Sequence, residues 1–193
     1  MTETLETLAH RALDAARAAG ADAAEATAFD AESLSVEVRD GDLESAERAE
    51  GREVALRVLI GGRQAAAVVS DTRPATLATL AERVVAMARA APEDPYAGLA
   101  PPDALASARD AAALDLLDPA EPAAPAALEA AAREAEAAAR ATPGVTRTDT
   151  ASAGWSRRAA HRAMTNGFSA GSARSRTIAV PSPAMATEAI QLC

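Results

Sequence analysis

Two histidines and one cysteine are the only imidazole and thiol groups among these 193 residues, so any nucleophilic or metal chemistry must be built around very few side chains. A zinc-peptidase helix needs two histidines one turn apart and a carboxylate to polarise the bound water. His10 and His161 lie on distant segments, neither is followed by Glu, and no HExxH or HExxxH string occurs. His10 falls off the apolar stripe of its helix and reads as a solvated surface residue. His161 sits in RRAAHRAM, where arginines oppose a cation, and reads as a solvated strand face. A second string, Gly167-Phe168-Ser169-Ala170-Gly171, fits the G-x-S-x-G nucleophile elbow. That elbow needs a helix after the serine, then an acid and a histidine further along. The residues after Gly171 are SARSRTIAV, which alternate like a strand, and Glu188 is the only acid beyond Ser169. The stretch reads as a hairpin of small residues where sheets pack closely. No catalytic, cofactor-binding or metal-ligating residue is assigned, and the purified chain is expected to hold no stoichiometric zinc and to cleave no peptide.

Charge is the remaining source of chemistry. Between Arg147 and Arg176 there are six arginines (147, 157, 158, 162, 174 and 176) against Asp149, with Trp155 and Phe168 nearby. Basic faces with aromatics can stack single-stranded nucleic acid. One Trp and one Phe make a poor stacking platform, and the net charge of −9 argues against nucleic acid and anionic membrane as partners. The stretch reads instead as the wet side of two strands, or a seam for an acidic partner. The lone Cys193 forms no disulfide framework, the N-terminus has no apolar signal core, and no run is long enough to span a membrane, so a cytoplasmic setting is expected.

The elements that would carry these residues follow from periodicity. Leu5, Leu8, Ala9, Ala12, Leu13 and Ala16 share one helical face, with Thr2 as N-cap and Gly20 at the left-handed C-terminal position. Leu34, Val36 and Val38 alternate with polar residues, Asp40-Gly41 is a hairpin dipeptide, and Leu43–Glu50 reads as a frayed or edge return strand. Val54, Leu56, Val58 and Ile60 resume the alternation, Gly61-Gly62 turns, and Ala65–Val69 makes a further strand. Pro74 opens a second helix, which Pro92 stops. The fold class is α+β: helix, antiparallel meander, helix, followed by an incomplete second α+β region. The corresponding divisions are 1–92, a Pro/Ala-rich linker at 93–125, a partial region at 126–180 and an irregular tail at 181–193. The partial region would hold a helix from Ala126 to Ala141 and two strands, Val145–Thr165 and Phe168–Val180, joined at Asn166-Gly167 and ended by Pro181 and Pro183.

The segments ALDAARAAGADAAEA, LSVEVRDGDLESAER, VALRVLIGGRQAAAVVSD, AMARAAPEDPYAGLA and GVTRTDTASAGWS with TNGFSAG, in that order, resemble the N-terminal part of the TldD/PmbA family, closer to the PmbA (or TldE) branch. The resemblance implies a zinc-dependent metallopeptidase system, earlier described as a modulator of DNA gyrase, that processes peptides inside a two-subunit shell. It implies that zinc is held by HExxxH and a distant cysteine in a TldD-type partner, while PmbA-type subunits lack that motif. The chain is then expected to be a non-catalytic PmbA-like fragment whose C-terminal domain is absent, partnered by a TldD-like subunit or by itself, with a peptide as the system's substrate. The alternative is an acidic α+β interaction module with no proteolytic link.

Overall fold

Asp40 and Gly41 both take positive φ, 53° and 84°, and this mirror-image turn is what lets two long strands fold back on each other with only two residues between them. Strands β1 (Ala23–Arg39) and β2 (Asp42–Ile60) flank it, and the Gly61-Gly62 turn leads into β3 (Arg63–Val69). Helix α1 (Leu5–Ala18) precedes them, α2 (Pro74–Ala90) and α3 (Pro125–Arg140) come after, and β4 (Thr148–Met164) and β5 (Ser169–Pro183) close the chain order. The computed structural model describes residues 3–107 and 122–183, with the side chains of 180–183 excepted. The strands form one antiparallel sheet in the order β3-β2-β1-β4-β5, so the architecture is α+β as the periodicity predicts.

Four boundaries differ from expectation. The cap of α1 is Thr4, whose hydroxyl accepts from the Thr7 amide at 3.2 Å; Thr2 lies outside the described residues. β2 is one continuous strand of 19 residues, although residues 42–51 bury almost nothing. Ladder pairing through the Asp40-Gly41 turn, not burial, holds that half. β4 and β5 do not found a separate sheet: β4 lies beside β1, and near its end the Thr165 amide donates to the Ala24 carbonyl at 3.0 Å. β5 continues through Pro181 to Pro183 because it is an edge strand, where a residue without an N–H is tolerated.

The chain packs as two compact units, each assembled from three stretches. The first unit (1–31, 50–117 and 158–174) contains α1, α2 and β3. Its core joins Leu8, Leu13 and Ala16 of α1, Leu77, Val84 and Ala88 of α2, and the inward residues Ala26, Ala28, Leu56, Val58 and Ala163 of the strands. Gly20 is left-handed, at φ 92°, and closes α1 with two bonds, Ala21 N–H to Ala16 C=O and Gly20 N–H to Arg17 C=O, each 3.0 Å. The register of β2 on β3 runs from Val54 opposite Val69 to Ile60 opposite Arg63.

The second unit (32–49, 118–157 and 175–193) contains α3 and packs Leu128 and Ala132 against Val36, Val38, Ala153 and Trp155. One turn beyond Ala132 the same helical face presents Glu136, a carboxylate only 3% exposed. It accepts from the amides of Asp40 and Gly41 and from the Thr148 hydroxyl, all at 2.9 Å, and from Arg140 at 3.0 Å. Burial alone pushes such a carboxyl up, but the bonds from Thr148, Gly41 and Asp40 and the Arg140 charge together hold it below the ordinary 4.5. Arg140 also pairs with Asp40, and Arg133 donates to the Gly41 carbonyl at 2.8 Å, so α3 grips the hairpin turn from three side chains.

Stability should respond in two ways. Gly41→Val should cost about 1–2 kcal/mol in a thermal melt, since a β-branched residue resists positive φ. Glu136→Ala removes the acceptor of two part-buried amides and a buried hydroxyl and should cost about 2 kcal/mol. A carboxyl depressed in the folded state contributes stability above its unfolded value and loses it as pH falls below 4.5. The parent's acid unfolding should therefore be steeper than that of Glu136→Gln; equal slopes in a pH series of melts would refute this role.

Candidate functional site

Helix α1 is amphipathic because its buried stripe recurs every three or four residues, which leaves Glu6 and His10 exposed on its flank, one turn apart. Across the first unit, His161 is half-buried near the end of β4, two residues before the fully buried Ala163. Alternation along a strand puts both on the sheet face that α1 covers. Ser169 begins β5 after a tight turn in which the Met164 amide donates to the Phe168 carbonyl at 2.9 Å and the Gly167 amide to the Met164 carbonyl at 3.2 Å.

These elements bring together what the sequence separates. His161 Nε2 lies 2.8 Å from the Ser169 hydroxyl, and His10 Nε2 lies 3.2 Å from the same oxygen, 159 positions away in the chain. The two rings are 6.4 Å apart between centroids, and the ligand atoms of Glu6, His10 and His161 all fall within 4.8 Å of one another. A serine hydroxyl has one proton, so it donates to one imidazole and accepts from the other. Gly171 clears the other edge of the His161 ring: a Cβ there would stand 3.2 Å from Nδ1. Burial, the largest influence, pushes His161 below the ordinary 6.5; the Glu6 charge raises it and the His10 charge lowers it.

His10 and His161 are therefore not isolated solvated groups, and Ser169 does have an imidazole at hydrogen-bond distance. Sequence order conceals this, because the bases come from eight residues before Ser169 and from the first helix, not from downstream. The arrangement is still no nucleophile elbow. Ser169 opens a strand and no helix, and among the described residues no carboxylate hydrogen-bonds to His161 Nδ1 to set its tautomer. The six-arginine stretch also disperses. Trp155 is 6% exposed inside the second unit's core, Arg158 lies over the Phe29 ring at 4.3 Å, and Arg162 pairs with Glu25 at 3.3 Å. No aromatic platform for bases forms from Trp155. Of the concave surfaces, one in the second unit is lined by Leu34, Trp155, Ile178 and Arg176 together with four serines; it is mainly apolar, and no acid or histidine lines it to activate a hydroxyl.

Residues 24–88 match the family model of PmbA/TldA metallopeptidase domain 1. Among solved structures, the chain is similar to a candidate modulator of DNA gyrase from Bacteroides thetaiotaomicron, with a TM-score of 0.72 at 20% identity over 91% of this chain and 40% of that one. It is also similar to TldE from Thermococcus kodakarensis, with a TM-score of 0.68 at 15% identity over 88% and 37% of the two chains. A candidate modulator of DNA gyrase from Thermotoga maritima gives 0.59 at 15% identity over 91% and 39%. At these identities the likeness establishes the fold, and the chain spans about two fifths of the length of these structures. No curated protein matches by sequence. Among the described residues no helix is long and apolar enough to cross a membrane.

The histidine pair can be checked by ring-proton NMR. His161 should titrate below 6.5, move up in His10→Gln and move further down in Glu6→Gln. Because this depressed group is a base, it should add stability that is fully present above 6.5 and declines as pH falls below it. Midpoints that ignore both substitutions would mean that the rings are not neighbours in solution.

Proposed function

We propose that the chain belongs to the TldD/PmbA family through its first domain and is the N-terminal portion of a PmbA-like, non-catalytic subunit serving a zinc metallopeptidase in peptide processing. The match of residues 24–88 to the metallopeptidase's first domain carries this proposal, and the likeness in fold to TldE supports the branch. The sequence holds no HExxxH helix, so the hydrolytic zinc would be supplied by a TldD-type partner. The chain's own part would be to dock that partner and offer sheet surface to an extended peptide, whose backbone can add to a strand edge while alternate side chains confer selectivity. β3 and β5 are the edges available in the strand order. A cytoplasmic setting belongs to the same proposal.

Co-expression with a TldD-type subunit carrying HExxxH tests it. The two should copurify, a mixed peptide pool should be hydrolysed by the pair, and the chain alone should leave the pool intact. Hydrolysis by the chain alone, or a TldD-type subunit that neither binds it nor gains activity from it, would sink the proposal.

A further inference from the structure

We propose that Glu6, His10 and His161 form a binding site for a borderline divalent transition cation of the zinc class, which ties α1 to the β4–β5 hairpin. This departs from the sequence-based expectation that the chain holds no metal, and it does not rest on the proposed role as a peptidase subunit. The donor set is one carboxylate oxygen and two imidazole nitrogens. Those donors suit zinc and its first-row neighbours, whereas calcium and magnesium favour shells of oxygen.

Geometry supports the assignment at three points. Both Nε2 atoms already converge on one spot, at 2.8 and 3.2 Å from the Ser169 hydroxyl, so two nitrogens flank a common centre. The three ligand atoms lie within 4.8 Å of one another. With metal–ligand bonds of about 2.0–2.1 Å, donors in a tetrahedral shell stand roughly 3.4 Å apart, so closure needs a contraction of about 1.5 Å. Glu6 can supply it: the side chain is exposed, and among the described residues it forms no ion pair with an arginine. Ser169, or a water in its place, is positioned to take the fourth place or to orient an imidazole.

The electrostatic objection is that arginines neighbour both histidines in the sequence. In the fold they are engaged elsewhere. Arg11 pairs with Glu3 at 2.7 Å, Arg162 pairs with Glu25, and Arg158 lies over Phe29. Arg162 also points to the face opposite His161, as strand alternation requires. The arginines that would repel a cation are thus neutralised or turned away, and Glu6 is the charge that faces the histidine pair.

Equilibrium dialysis of the 193-residue chain against zinc chloride, read by elemental analysis, tests the site, with cobalt(II) absorption as a geometric probe. One zinc per chain is expected, with a rise in melting temperature and no uptake from calcium chloride. Glu6→Gln and His10→Gln alter exposed side chains and should leave the metal-free melt unchanged while weakening zinc at least tenfold. His161→Gln should do the same to zinc, and Ser169→Ala should weaken it by roughly 10-fold, as expected of a supporting group. No stoichiometric zinc at tenfold excess would overturn the proposal. So would affinity retained in a His10→Gln/His161→Gln double variant that still melts cooperatively.

Discussion

Alanine is the constraint on which the first unit depends. Aromatic residues make up only 2% of the chain, and half of the fully buried side chains of this unit are alanines. An alanine buries little area, so each contributes little at about 25 cal/mol per Å². What it permits is close approach. Ala9, Ala12 and Ala16 on α1 share one buried cluster with Ala24, Ala26 and Ala28 on β1 and Ala163 on β4, and side chains this short keep little between the backbones. The flank of α1 is thereby lowered onto the strands, and short reaches such as His10 to Ser169 become possible. Leu8, Leu13 and Leu56, each 1% exposed or less, then supply most of the apolar area that the alanines cannot. The site at the helix flank is a consequence of the core's composition.

The second unit solves the same shortage differently. It has fewer apolar residues to bury and places a carboxylate, Glu136, where a third aliphatic would extend the stripe of Leu128 and Ala132. Desolvating that charge is costly, and the arrangement holds only because four donors converge on it. The gain is specificity. The two amides it binds belong to the hairpin turn, where φ is positive at both residues, so Glu136 recognises one turn geometry and one register. Where apolar contacts are scarce, a satisfied buried charge selects the structure that apolar burial alone would leave loosely defined.

Local signals are legible in the sequence, and non-local ones are not. Asp40-Gly41, Gly20, Pro74 and the stripe on α1 each act through one or two turns of backbone, and each lies where the pattern puts it. The continuity of β2 is not legible because residues 42–51 show no buried face; their order comes from pairing with another strand. The place of β4 beside β1 is not legible either, since it joins residues such as Ala24 and Thr165 across most of the chain. Glu136 leaves a faint trace, as the one acid in register with Leu128 and Ala132 on an alanine helix. Its pairing with Arg140 at the favourable spacing suggests a solvated ion pair and conceals the burial.

The histidine cluster shows why such a site escapes recognition by motif. Zinc-helix and nucleophile-elbow patterns work because their residues are fixed by local backbone geometry, so spacing alone predicts contact. Here Glu6 and His10 obey that rule on α1, being one turn apart, but the zinc-helix strings require a second histidine on the helix. His161 and Ser169 are eight residues apart on two strands of a hairpin, and only the turn at 165–168 makes them neighbours. The cluster therefore joins two locally encoded pairs, each unremarkable alone, through the packing of α1 on the sheet. Its integrity is tied to tertiary structure: fraying of either α1 or the hairpin separates the imidazoles, while neither pair is lost as an element. A group that bridges them couples the order of the two ends of the chain, and this is the physical sense in which a helix at residue 5 and a hairpin at residue 169 belong to one site.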